Sequence, residues 1–265
     1  MVERREAQLQ PDRIRALQQA LTATPEELFQ LLLTPDPEIL QALLKNPQLT
    51  EDHLLALLKR RDLPESLLRT IHLRCADTHS HRLVVALVKN PNLPSVLLRS
   101  LLPQLRLFEL VDLCFLPGFT PDQRLAAERT IRQRLPTTPL GNKMALARRA
   151  TAPIVAEILR EADARLVGIC LDSPRLTEAA VFQFVNSPQA TAATLSMVAR
   201  HQRWKNRPNL QQAILKNRQT PAIWFTLWLP KLPLATLNRL VAGRQQTPAQ
   251  KRALEEELKR RRSTR

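Results

Sequence analysis

The stretch Leu87 to Leu110, LVKNPNLPSVLLRSLLPQLRLFEL, returns 127 residues later as Ile214 to Leu237, ILKNRQTPAIWFTLWLPKLPLATL. The same offset pairs Pro47-Gln48-Leu49-Thr50-Glu51 with Pro174-Arg175-Leu176-Thr177-Glu178, and Thr120-Pro121 with Thr247-Pro248. Laid without gaps over Ile39 to Arg134 against Leu166 to Arg261, it gives 23 identities in 96 positions. The matches fall on leucines, prolines and helix caps, so the sequence predicts an internally duplicated helical repeat.

Helix punctuation recurs along the chain. Thr24-Pro25-Glu26-Glu27, Asp36-Pro37-Glu38, Asp62-Leu63-Pro64-Glu65 and Thr120-Pro121-Asp122 share one grammar. A capping side chain or a proline opens the helix, and acids sit where the helix dipole favours them. Asn46-Pro47 and Asn90-Pro91 stop helices. Only 4 glycines stand against 21 prolines, which suits helices opened by proline and not strands joined by glycine turns. Helices of two or three turns are marginal alone, so stacked hairpins are needed to bury their leucine stripes. The expected fold is all-α, an α-solenoid of short stacked helices. Its expected parts are capping helices at 1–36, copy one at 37–138, connecting helices at 139–163 and copy two at 164–265, in one superhelix.

The longest apolar runs, such as Leu83 to Val88 and Ile223 to Leu229, fall far short of the ~18 residues of a membrane span. The start, MVERREAQLQPDR, lacks an apolar stretch, and residues 1–23 predict an amphipathic helix, not a secretory signal. Cys75, Cys114 and Cys170 are odd in number and irregular in spacing, which fits reduced thiols and a cytoplasmic setting.

Charge is uneven. The net charge is +16, of which residues 199–265 carry 16 Lys/Arg against 3 Asp/Glu, or +13. The matching window of copy one, residues 72–138, carries 9 against 5, or +4. The basic stretch RHQRWKNRPNLQQAILKNR holds Arg200, Arg203, Lys205, Arg207, Lys216 and Arg218 around Trp204. Cations displace counterions from phosphates and an indole stacks a base. At the 127-residue offset only Lys216 has a cationic counterpart, Lys89, while Trp204 stands for Asp77 and Arg239 for Asp112. The alternative is a solvated basic face with Trp204 tucked over a neighbouring helix. Trp224, Phe225 and Trp228 match Leu97, Leu98 and Leu101, a helix stripe expected in the core. His72, Cys75, His79 and His81 follow no standard metal spacing, so no metal site is expected. In the C-terminal helix, Glu255–Lys259, Glu256–Arg260 and Glu257–Arg261 are expected as i, i+4 pairs, followed by a frayed end.

The rhythm of Lys45-Asn46-Pro47, Lys89-Asn90-Pro91, Ser173-Pro174 and Lys216-Asn217, with helix starts at Thr50, Pro94, Thr177 and Pro221, resembles the HEAT and leucine-rich-variant class of bacterial helical repeats. That resemblance implies a binding or scaffolding surface and no particular ligand. The iron–sulfur cluster of one leucine-rich-variant protein is not implied, because the N-terminus here has no cysteine.

No nucleophile elbow, Walker loop, zincin or dinucleotide motif occurs. The leading expectation is a non-enzymatic scaffold, without cofactor, that docks an acidic protein. The alternative is a nucleic-acid-binding solenoid in which Arg200, Arg203, Lys205, Arg207 and Arg218 meet phosphates. A remote third is a HEAT-like alkylpurine DNA glycosylase, although copy two has no Asp or Glu between Ala179 and Leu254.

Overall fold

The computed structural model describes residues 11–243 and 246–263. Among the described residues all regular structure is helical, and no helix is long and apolar enough to cross a membrane. The chain divides into two compact units, Met1–Ile131 and Arg132–Arg265.

The first unit holds α1 (Pro11–Thr22), α2 (Pro25–Leu31), α3 (Pro37–Leu43), α4 (Glu51–Leu58) and α5 (Glu65–Thr78). It continues with α6 (His81–Val88), α7 (Ser95–Leu101), α8 (Leu107–Cys114) and α9 (Pro121–Arg134), whose last turn crosses the division. The second holds α10 (Leu140–Arg149), α11 (Ala152–Arg160), α12 (Ala164–Asp172), α13 (Glu178–Val185) and α14 (Ala192–Arg200). It ends with α15 (Pro208–Lys216), α16 (Ala222–Trp228), α17 (Leu234–Val241) and α18 (Pro248–Ser263). Each helix from α2 to α9 begins 127 residues before its counterpart from α11 to α18, as 51 and 178 or 107 and 234 illustrate. The connecting helices expected at 139–163 are α10 and α11, which pack on α12 and α13 within the second unit.

Within each unit, helices pack on their next-but-one neighbours: α1 on α3, α2 on α4, α4 on α6, then α10 on α12, α13 on α15 and α16 on α18. The leucine stripes meet between these layers. Leu57, Leu67, Leu68, Leu83 and Leu87 are fully buried in the first unit, as are Val181, Phe184, Leu215 and Leu237 in the second. Trp224 and Phe225 are core residues as their spacing predicts, with Trp228 half-buried beside them.

Side chains that reach back about one hairpin tie the layers together. Asn46 Nδ2 donates to the carbonyls of Ala20 and Ala23 at 3.0 and 3.1 Å. Asn90 Nδ2 donates to Leu58 and Arg60 at 3.3 and 2.7 Å, and Asn217 Nδ2 to Val185 at 2.6 Å. Gln123 Nε2 reaches Pro91 at 3.5 Å, and Gln250 Nε2 reaches Arg218 at 3.2 Å. Donors and acceptors of the last two pairs, like those of Asn90–Leu58 and Asn217–Val185, stand 127 residues apart. The bonds to Ala20, Leu58 and Val185 close carbonyls that a helix end leaves without partners, and the others close turn carbonyls beyond it. Asn90→Leu is therefore expected to destabilise the first unit by about 1–3 kcal/mol, the cost of stranding buried polar groups. A lower urea midpoint checks this; an unchanged one would mean the carbonyls find water.

Three departures from the sequence expectations follow from local geometry. The polar turn at His79 to His81 shrinks to His79 and Ser80, because α5 runs to Thr78 and ends on a left-handed His79 at φ 50°. Ser80 then caps α6, its Oγ accepting from the Leu83 N–H at 3.3 Å. The C-terminal end is not frayed up to Ser263, where α18 stops; residues 264–265 lie outside the described ones, as do residues 1–10 of the expected first helix. Of the three expected ion pairs on α18, Glu257–Arg261 forms at 2.8 Å, while Arg260 turns to the same carboxylate at 2.9 Å.

Candidate partner-binding surface

Trp204 is not a stacking platform. It sits in the turn at 201–207 between α14 and α15, 2% exposed, and its Nε1 donates to the Leu171 carbonyl at 3.0 Å. The counterpart helix α5 passes through this position, whereas α14 stops at Arg200; the indole fills the space and caps α12. Arg203 lies 4.4 Å from the Trp204 ring centroid and donates to the carbonyls of Ser173 and Leu176 at 2.8 and 2.9 Å. Its guanidinium closes a loop of its own chain.

The rest of the basic stretch does not form one patch. Arg207 is the N-cap of α15 and lies 3.7 Å from the Glu178 carboxylate. Lys216 and Arg218 stand at the other end of that helix, nine residues or about 13 Å away, beside a cavity of ≈ 470 Å³. Arg200 is exposed, 5.9 Å from the Trp224 ring centroid, Arg239 is exposed on α17, and Lys205 is half-buried.

A groove of ≈ 950 Å³ lies in the first unit. Its floor is apolar: Leu55 and Ala56 of α4, with Val85 and Ala86 of α6, all half-buried. Phe29 of α2 borders it, 47% exposed, its ring centroid 4.2 Å from that of His53 and tilted by 43°. Six cations line the groove against two carboxylates, Asp52 and Glu109. Arg60 is committed to the fold, since it pairs with Asp62 at 2.6 Å and donates to Leu32 and Thr34. Arg82, 71% exposed, lies 3.6 and 3.8 Å from Glu51 and Asp52. Lys59, Arg61 and Lys89 have no ion pair with a described carboxylate. Lys59 and Lys89 are the residues closing α4 and α6, where the helix dipole favours a cation.

Glu109 joins α8 to this wall through His81, whose Nε2 lies 2.9 Å from its carboxylate. Burial raises the Glu109 carboxyl, but the Arg106 N–H and the His81 ring outweigh it and hold it below the usual range. The carboxylate therefore stays ionised at neutral pH and offsets one cation.

The corresponding face of the second unit is less basic and lacks acids, since Arg218 stands for Pro91 while Ala179 and Thr236 stand for Asp52 and Glu109. At the 127-residue offset Lys59 becomes Asn186, Arg61 becomes Pro188, Arg82 becomes Asn209 and Arg106 becomes Pro233; only Lys89 keeps its charge, as Lys216. Net charge by segment concealed this groove, because its cations come from the turn after α4, from α6 and its C-cap, and from the N-cap of α8, and are diluted by acids elsewhere. A sub-repeat carries the signal: Leu54-Leu55-Ala56-Leu57-Leu58-Lys59 against Val84-Val85-Ala86-Leu87-Val88-Lys89.

His72, Cys75, His79 and His81 line one cavity of ≈ 330 Å³. Among the described residues no three His, Cys, Asp or Glu side chains are placed to hold a metal ion together. All three cysteines are buried and none is in a disulfide; burial pushes Cys75 up to about 11, and Cys114 and Cys170 to about 12. At neutral pH they are inert thiols.

No family model, curated protein or solved structure matches the chain.

Proposed function

We propose that the protein is a non-enzymatic helical-repeat docking protein for an acidic protein partner, an internally duplicated α-solenoid whose duplication extends to the pairs α2/α11 through α9/α18. The common 127-residue spacing of helix starts and of the Asn90 and Asn217 bonds supports the duplication. Next-but-one packing within each unit supports stacked hairpins. The observation that carries the function is the groove of the first unit. An apolar floor under cations that pair with no described carboxylate suits a protein surface that brings both apolar contact and carboxylates.

A nucleic-acid partner is the second reading, favoured by the exposed Lys216, Arg218 and Arg239. It is weakened by the burial of Trp204 and by the bonds that engage Arg203 and Arg207. The glycosylase reading needs a carboxylate poised in a pocket of the basic face; Glu257 is held by two arginines, and Glu255 and Glu256 lie exposed on α18.

Titration with a labelled duplex, a labelled single strand and polyglutamate at low and high salt tests the choice. Polyglutamate should bind, while both nucleic acids stay in the non-specific range of ~10⁻⁴–10⁻⁶ M. Much tighter duplex binding, falling with salt at a log–log slope of about 0.9 per phosphate contacted, would overturn the proposal.

A further inference from the structure

We infer that the groove over α4, α6 and α8 receives an acidic amphipathic helix from the partner. This rests on the docking function proposed above and names the element that is docked.

Charge selects an acidic occupant. Lys59, Arg61 and Lys89 are unpaired with described carboxylates, and Arg82 has only long contacts to its own. Like charges held side by side repel, and carboxylates arriving above them relieve that repulsion while steering the approach. The apolar floor selects an amphipathic occupant. Leu55 and Val85 are half-buried in this structure, and Phe29 offers an exposed ring at the border. Ala56 and Ala86 line the groove beside them, and their small side chains leave room for larger ones.

The backbone bonding selects a helix. An extended peptide that buries its main chain needs partners for its N–H and C=O groups, supplied by a sheet edge or by clamping side-chain amides. No strand exists among the described residues. The amide that lines the groove, Asn90, is already spent: its Nδ2 donates to Leu58 and Arg60, and its Oδ1 accepts from the Asn92 N–H at 3.1 Å. A helix satisfies its own backbone and brings only side chains, apolar residues at i, i+3 and i+4 below and carboxylates flanking them.

The test selects peptides from a displayed random library on the intact chain, then synthesises the enriched sequences and measures their affinity by anisotropy. Enriched peptides should be acidic, with apolar residues at three- and four-residue spacing, and should gain helical circular dichroism on binding. A central proline should abolish binding. The double variant Lys59→Glu/Lys89→Glu should weaken affinity about tenfold or more, whereas Lys216→Glu/Arg218→Glu should not. All four positions are exposed, and thermal melts verify that both variants fold. If acidic peptides respond to the Lys216/Arg218 variant and ignore the Lys59/Lys89 variant, the docking function stands and the groove assignment falls. Peptides that bind the groove while tolerating proline overturn the helix. Enrichment without acidic residues overturns the groove and the acidic partner together. Oligothymidylate binding that the Lys59/Lys89 variant abolishes would assign the groove to nucleic acid and overturn the inference.

Discussion

Trp204→Ala is expected to destabilise the second unit by about 3–5 kcal/mol, the range for deleting a buried tryptophan. The indole is 2% exposed and packs in a turn with no helix to support it. Its removal leaves a cavity, strands the Leu171 carbonyl and takes away the ring beneath Arg203. Trp204→Phe refills much of the volume but not the N–H, so a smaller loss of about 1–3 kcal/mol is expected, set by the stranded carbonyl. Urea denaturation followed by circular dichroism reads both. If Trp204→Ala unfolds at the wild-type midpoint, the ring is not a core element and base stacking returns as a possibility. The same reasoning bars Trp204→Ala as a probe of nucleic-acid contact, because weaker binding by that variant would report a damaged unit.

Arg261→Met is expected to cost about 2–3 kcal/mol, somewhat less than the full penalty for breaking a buried pair, since Arg260 stays with the carboxylate. Glu257 is 8% exposed and accepts from Arg261 Nε at 2.8 Å. The Arg261 guanidinium also donates to the carbonyls of Leu232 and Leu229, closing the turn after α16. Burial raises the Glu257 carboxyl, but the bonds from Arg261 and Arg260 outweigh it and leave its pKa lowered. A carboxyl with a lowered folded pKa stabilises above its unfolded value and loses that contribution as pH falls through the folded one. Stability of the wild type should therefore decline with acid below about 4.5, the ordinary glutamate value. Arg261→Met should flatten that decline. An acid titration of the melting temperature with equal slopes for both proteins would show that the pair does not act.

The helices were legible from residues alone because their signals are local. A proline or a threonine before Glu, and leucines at three- and four-residue spacing, act within one or two turns. Thus α13 starts at Glu178, directly after Thr177, and α16 at Ala222, directly after Pro221. The core placement of Trp224 and Phe225 was legible for the same reason, since a helix stripe fixes a face. The sites behaved differently. Lys-Asn-Pro could be read as a helix stop, but the role of its asparagine could not, because Asn90 bonds to residues 32 and 30 positions back.

Charge shows the division most clearly. The run Arg200 to Arg218 is dense in sequence, yet folding sends Arg203 to a carbonyl cluster, Arg207 to Glu178, and Lys216 and Arg218 to the far end of α15. Lys59, Arg61, Arg82 and Lys89 are scattered across thirty residues with acids between them, yet α4 and α6 bring them to one groove. The sequence by itself determined the helices, their order and their 127-residue recurrence, since these follow from neighbours along the chain. Only the tertiary structure decided which cations stay free and which face one another, because that depends on how successive helices stack and which carbonyls their ends leave open.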